Sequence, residues 1–215
     1  MKDQMKIVIL LTVYVIFAVV AFGSAAPAPA PDMPLAKLLD YAPQDINKFW
    51  QQTFASSNKR YAAPLVLPYY LPYRTPCGDS LMNNAFYCPP DNIIHYDYNF
   101  ISRIYSQVGD YAVASLIAHE WGHSVQTQLG ISKGKFFSIQ MELQADCFAG
   151  AYTQYARQAG ELEDGDLEKA GVGLFNAGDR IGTPWFAPQA HGKPMERISA
   201  FLDGYKGGVK ACFSR

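Results

Sequence analysis

Five residues carry the clearest chemistry in this chain: His119-Glu120-Trp121-Gly122-His123. On a helix, positions i and i+4 share one face, so the two imidazoles can grip one divalent ion. The glutamate beside the first histidine can then take a proton from a water that the ion polarises. This H-E-x-x-H spacing assigns His119 and His123 as metal ligands and Glu120 as general base. A catalytic zinc also needs a third protein ligand and one open position. The stretch Glu142-Leu143-Gln144-Ala145-Asp146 offers that ligand. Glu142 and Asp146 lie one turn apart, where two carboxylates repel each other unless a cation and histidines sit nearby. Glu142 is therefore expected as the third ligand of one catalytic Zn2+. Asp146 is expected to accept a hydrogen bond from the non-ligating nitrogen of a histidine ligand, which fixes the ring's tautomer and orientation.

The group that would stabilise a developing oxyanion has no spacing signature. His191 precedes Gly192 in the loop that leads to the last helix, and could swing over the site. Arg180, Arg197 and several tyrosines compete for that role. His95 falls in a strand and reads as structural.

These residues need helices to hold them. Asp110 can cap a helix that runs to about Gln128 and stops at Gly130. Gly122 sits inside it, where glycine costs about 1 kcal/mol against alanine, so close packing against another backbone is expected there. A second helix should run from about Phe136 to Ala159 and end at Gly160. Further helices are expected near Leu35 to Phe54, Asp166 to Ala177 and Pro194 to Tyr205. Residues 64–76, rich in proline and tyrosine, read as an extended loop or an edge strand. Residues 85–88, 89–92 and 93–97 read as strand, turn, strand. The expected fold is a single α+β domain, predominantly helical, with a small antiparallel hairpin beside the zinc helix.

The 215 residues suffice for one sizeable core, and 49% hydrophobic with 17% charged content excludes a disordered chain. A net charge of -1 gives no electrostatic footprint for nucleic acid. Lys2 and Lys6 precede the apolar run 7–22, and small residues follow it. Residues 1–26 thus read as a signal peptide or an uncleaved N-terminal membrane anchor, 27–34 as an Ala/Pro linker and 35–215 as the zinc domain. Either reading puts the domain outside the cytoplasm, secreted, periplasmic or membrane-anchored. Four cysteines fit such a compartment. They allow three connectivities; a local Cys77–Cys88 bridge would leave Cys147 to join Cys212. No C-x-x-C pair suggests a cysteine–zinc site.

The segments around Ala118-His119-Glu120-Trp121-Gly122-His123-Ser124-Val125-Gln126 and Glu142-Leu143-Gln144-Ala145-Asp146-Cys147-Phe148-Ala149-Gly150 resemble the bacterial neutral zinc metallopeptidase family, of gluzincin type. Cys77-Gly78, Phe86-Tyr87-Cys88-Pro89, Gly178-Asp179-Arg180-Ile181, His191-Gly192 and Glu196-Arg197 extend the resemblance over nearly all of the chain after the linker. It implies a zincin-like core, bound zinc, export or membrane anchoring, and a peptide or protein substrate. It supports His119, His123 and Glu142 as ligands, Glu120 as base and His191 as a further catalytic residue. Ser124 stands where members often carry another histidine, a position outside the ligand set. Asn84-Ala85 replaces a usual Gly-Pro. The alternative function is a zinc-stabilised envelope scaffold or binding protein with little hydrolytic activity.

Overall fold

Residues 32–131, 138–187 and 189–214 are described by the computed structural model. The expected signal or anchor, most of the linker and the expected first residues of the Phe136 helix lie outside them. Among the described residues, no helix is long and apolar enough to cross a membrane. The chain is mostly helical with a small mixed sheet. Its elements are α1 (Leu35–Ser56), β1 (Leu65–Tyr69), β2 (Arg74–Thr75), β3 (Gly78–Asp79), β4 (Ala85–Cys88), β5 (Ile93–Asp97), α2 (Tyr98–Gln107), α3 (Asp110–Gln128), α4 (Ser138–Gln158), α5 (Asp166–Asn176) and α6 (Pro194–Ala211).

Helix α3 is the centre of the molecule. Val113, Ala114, Ile117, Ala118, Trp121 and Val125 bury it on several sides, as expected of a helix surrounded by others. It ends in a Schellman motif: Gly130 takes a positive φ, its N–H bonds Thr127 O, and Ile131 N–H bonds Gln126 O. Asp110 does not cap it. Gly109 holds the N-cap, and the Asp110 carboxylate instead accepts from Met33 N–H and Lys169 Nζ.

Helix α1 presents Leu38, Ala42, Ile46, Phe49, Trp50 and Phe54 at helical spacing to the core. Trp50 meets Phe148 edge to face, and Phe49 packs near Tyr152, so α1 lies against α4. α4 and α6 approach at backbone contact. A Cβ on Gly150 would stand 1.9 Å from Phe201 O, and one on Gly204 would stand 1.8 Å from Cys147 O. The Cys147–Cys212 bridge locks this pair, and Cys77–Cys88 ties the β2–β3 segment to β4.

The main sheet has the order β1-β5-β4. β4 and β5 form the expected antiparallel hairpin, but β1 runs parallel to β5, so the sheet is mixed rather than antiparallel. β1 takes the outer position, where Pro68 can be accommodated. β2 and β3 form a separate antiparallel pair. α2 follows β5 directly: Asp97 Oδ1 accepts from Asn99 N–H and caps it. α6 runs beyond the expected end near Tyr205, with a break in its helical backbone at Gly208.

Candidate metal centre

The candidate metal-ligand residues come from two neighbouring helices. Gly122 lies between His119 and His123 in α3, and Ala145 lies between Glu142 and Asp146 in α4. A Cβ on Gly122 would meet Ala145 Cα at 3.0 Å, so the two helices come closest at the level of the site. This is the close packing that an interior glycine predicts.

His119 Nε2 stands 3.3 Å from Glu142 Oε2, and His123 Nε2 stands 3.4 Å from Glu142 Oε1. Ligands about 2.0–2.1 Å from a tetrahedral zinc lie roughly 3.3 Å from one another. The three donors therefore fit one such ion. Both histidines are oriented from behind. His119 Nδ1–H donates to Asp146 Oδ1 at 2.7 Å, and His123 Nδ1–H donates to Gln126 Oε1 at 2.8 Å. Each Nε2 lone pair thus points toward the carboxylate of Glu142, an arrangement that calls for positive charge between them.

Without an ion, the carboxylates and imidazoles perturb one another's ionisation strongly. Burial works against charge on His119, but Asp146 and Glu142 overcome it and hold the imidazole up at about 10. Burial likewise opposes ionised Glu142, yet His123, His119 and His191 bring it well below the usual glutamate value. Asp146 is fully buried and still depressed, because Arg197 and His119 outweigh its desolvation. Arg197 donates from Nε to Asp146 Oδ2 and from Nη2 to Asp146 Oδ1, both at 2.8 Å. It is a buried brace for His119 through Asp146, and it also borders the cleft over the site.

Glu120 is buried beside the ligands and behaves differently. Desolvation raises its pKa, and the two histidines only partly offset this. Its Oε2 accepts the N–H of Tyr87 at 3.0 Å. That bond ties the carboxylate to β4, the edge strand opposite β1.

A cleft of about 860 Å³ opens over these groups. Phe86, Phe100, Leu116, Ile131 and Met141 supply much of its apolar wall, with Glu120, both ligand histidines and Glu142 on its floor. His191 also lines it, but its imidazole is turned to the third ligand: Nδ1 lies 3.1 Å from Glu142 Oε2. Arg180 is not among the cleft-lining residues. His95 is buried between Tyr73 and Asp91 at the hairpin, stacked on Phe86, and does not itself line the cleft. Cys88, Asp91 and His95 bring donor atoms together as well, but Cys88 is bridged to Cys77 and has no thiolate to offer.

Two contributors escape a reading of the sequence. Gln126 is neutral and three residues from His123, a spacing with no metal signature. The Tyr87 contribution is a backbone N–H, which no side-chain pattern reveals.

Residues 18–208 match the family described as "Putative neutral zinc metallopeptidase". The uncharacterized protein YpfJ of Escherichia coli strain K12 is 35% identical over 190 residues, covering 75% of this chain and 64% of YpfJ. The chain therefore spans less than two thirds of that relative's length. The uncharacterized protein Rv2575 of Mycobacterium tuberculosis strain H37Rv is 30% identical over 204 residues, covering 76% of this chain and 70% of Rv2575. No solved structure gives a significant match. The extent of the family match leaves one conclusion: this chain belongs to the putative neutral zinc metallopeptidase family.

Proposed function

We propose that this chain is a zinc-dependent metallopeptidase that hydrolyses peptide bonds outside the cytoplasm, built on a zincin-like plan. The observation that carries the reading is the convergence of two oriented Nε2 atoms on Glu142, at separations suited to tetrahedral zinc, with buried Glu120 beside them. Zinc held by His119, His123 and Glu142 would polarise a carbonyl and lower the pKa of a water to about 7. Glu120 would take the proton from the attacking water and pass it to the leaving nitrogen. Its raised pKa suits both steps, since a carboxylate nearer neutrality accepts a proton more readily. His191, on the cleft wall, is the proposed donor to the developing oxyanion. Asp146 and Arg197 hold His119, while Gln126 holds His123.

β4 supports an extended substrate. All four of its residues pair in register with β5, but the Tyr87 N–H points away from β5 and bonds Glu120 of α3. A peptide could therefore add along the free side of this edge strand. Ala85→Pro would remove an outward N–H there; peptide cleavage should fall while zinc content stays. Two disulfides and the N-terminal apolar run support a site of action in an oxidising compartment.

Glu120→Gln is the central test. It should keep one zinc per chain and lose about 10²–10⁴-fold in peptide turnover. Undiminished turnover would remove Glu120 from the mechanism. A wild-type chain that binds zinc but cleaves nothing in a peptide library would favour the scaffold function instead.

A further inference from the structure

Several large apolar side chains face outward on α5 and the loop after it. Val172 and Phe175 are about half exposed, Trp185 is 54% and Phe186 60% exposed, and Ile181 is fully exposed. The loop carrying the last three has a fixed base. Asp179 Oδ2 accepts the N–H groups of His191 and Gly192, and Asp179 N–H donates to Gly192 O. Contiguous exposed apolar surface of this kind marks an interaction site.

The way the chain enters the domain indicates what covers it. Lys169 Nζ, on α5, donates to Asp32 Oδ1 at 2.6 Å and to Asp110 Oδ1 at 2.7 Å. Met33 N–H donates to Asp110 Oδ2, and Tyr105 Oη–H donates to Met33 O. The chain at Asp32 and Met33 is thus fastened beside the helix that carries Val172 and Phe175. Residues 23–31 separate Asp32 from the apolar run 7–22, a reach of at most about 35 Å. The expected membrane anchor and the exposed apolar side chains are therefore tied to the same helix.

We propose that the 172–186 surface docks on a lipid bilayer, with Ile181, Trp185 and Phe186 entering the boundary between headgroups and acyl chains. Glu161, Glu163, Asp164 and Glu168 lie just upstream, so attraction to anionic headgroups is not the driving force. Apolar insertion is, and an uncharged phosphatidylcholine surface is sufficient. Ala177, Gln189 and His191, from the same stretch of chain, line the cleft. Docking therefore brings the cleft next to the bilayer. The proposal rests on the N-terminal anchor expectation, but not on zinc or on hydrolysis.

Trp185 makes it directly testable. The chain has three tryptophans, and Trp50 and Trp121 are each 1% exposed. In phosphatidylcholine vesicles brominated on the acyl chains, quenching of the full-length protein would report on Trp185. The wild type should sediment with the vesicles and be quenched. Trp185→Phe should lose the quenching. Ile181→Ser with Phe186→Ser should strongly reduce it while the protein still sediments through its N-terminal run and keeps its zinc content. Protein that sediments with vesicles but is not quenched overturns the proposal, and so does protein that does not sediment. Unquenched protein that is dimeric by analytical ultracentrifugation would assign the surface to self-association. None of these readouts uses turnover, so failure here leaves the peptidase reading untouched, and failure of that reading leaves this one standing.

Discussion

Gln126 does for His123 what Asp146 does for His119, without a charge. Its Oε1 accepts the His123 Nδ1–H, while its Nε2 donates to Met141 O at 2.7 Å and to Gln144 Oε1 at 3.1 Å. The amide cannot flip without losing all three bonds. Because Met141 precedes Glu142, Gln126 also couples one ligand to the helix of another. Gln126→Leu should therefore weaken zinc binding by about 10–100-fold, measured by competition with a chromogenic chelator. An unchanged affinity would show that His123 needs no orienting partner. The contrast with Asp146 shows which parts of the site could be read from the sequence. Glu142 and Asp146 stand out because two carboxylates one turn apart on an apolar helix demand an explanation. Gln126 makes no such demand. Arg197 lies 51 residues from its partner Asp146, and only folding brings them together. His119 satisfies only one oxygen of buried Asp146, and the other calls for a further cationic donor, which Arg197 supplies.

Among the elements, the helices with strong apolar periodicity and glycine stops and the local β4–β5 hairpin are legible, and the long-range pairing of β1 is not. Gly130 and Gly160 end α3 and α4 through backbone conformations that glycine adopts without strain, so local sequence specifies them. β1 has no local signal for its partner: it pairs in parallel with β5 across the intervening β2, β3 and β4. α2 is hidden because Asp97 is both the last residue of β5 and the cap of the helix. Packing assigns the glycines further roles. Gly150→Ala would drive a methyl into Phe201 O at the α4–α6 crossing, and neither backbone can yield without moving a helix. A loss of about 3 kcal/mol or more is expected from urea denaturation, at the upper end for a single substitution. Gly122→Val should act more selectively. It would push α3 from Ala145 and separate the histidines from Glu142, so zinc affinity should fall by more than the stability of the metal-free protein does.

At the scale of the molecule, both ends of the domain are fastened to its core. The C-terminus is held by Cys147–Cys212, which closes a separation of 65 residues. Replacing both cysteines by alanine should cost about 4 kcal/mol in denaturant unfolding if chain entropy sets the effect. The N-terminal entry is held by Lys169, whose ammonium bonds Asp32, Asp110 and Asp166. This fastening depends on pH in a definite direction. Burial raises the Asp110 pKa, but Lys169 and the N–H groups of Met33 and Tyr111 outweigh it, so the folded value is depressed. A depressed carboxylate contributes stability above its unfolded pKa of about 4 and loses it as pH falls through the folded value. Lys169, raised by the same carboxylates despite its own burial, contributes below its unfolded value of about 10 and loses that only in strong alkali. Lys169→Met removes the cation and leaves Asp110 buried beside Asp166, where desolvation dominates. The cost at neutral pH should be about 1–3 kcal/mol, less than for a fully buried pair because Lys169 keeps some solvent contact. As pH drops below about 4, protonation relieves the variant and disarms the wild type, so their unfolding curves should converge. A gap that stays constant from neutral pH into acid would mean that Lys169 acts through its aliphatic packing and not through its charge.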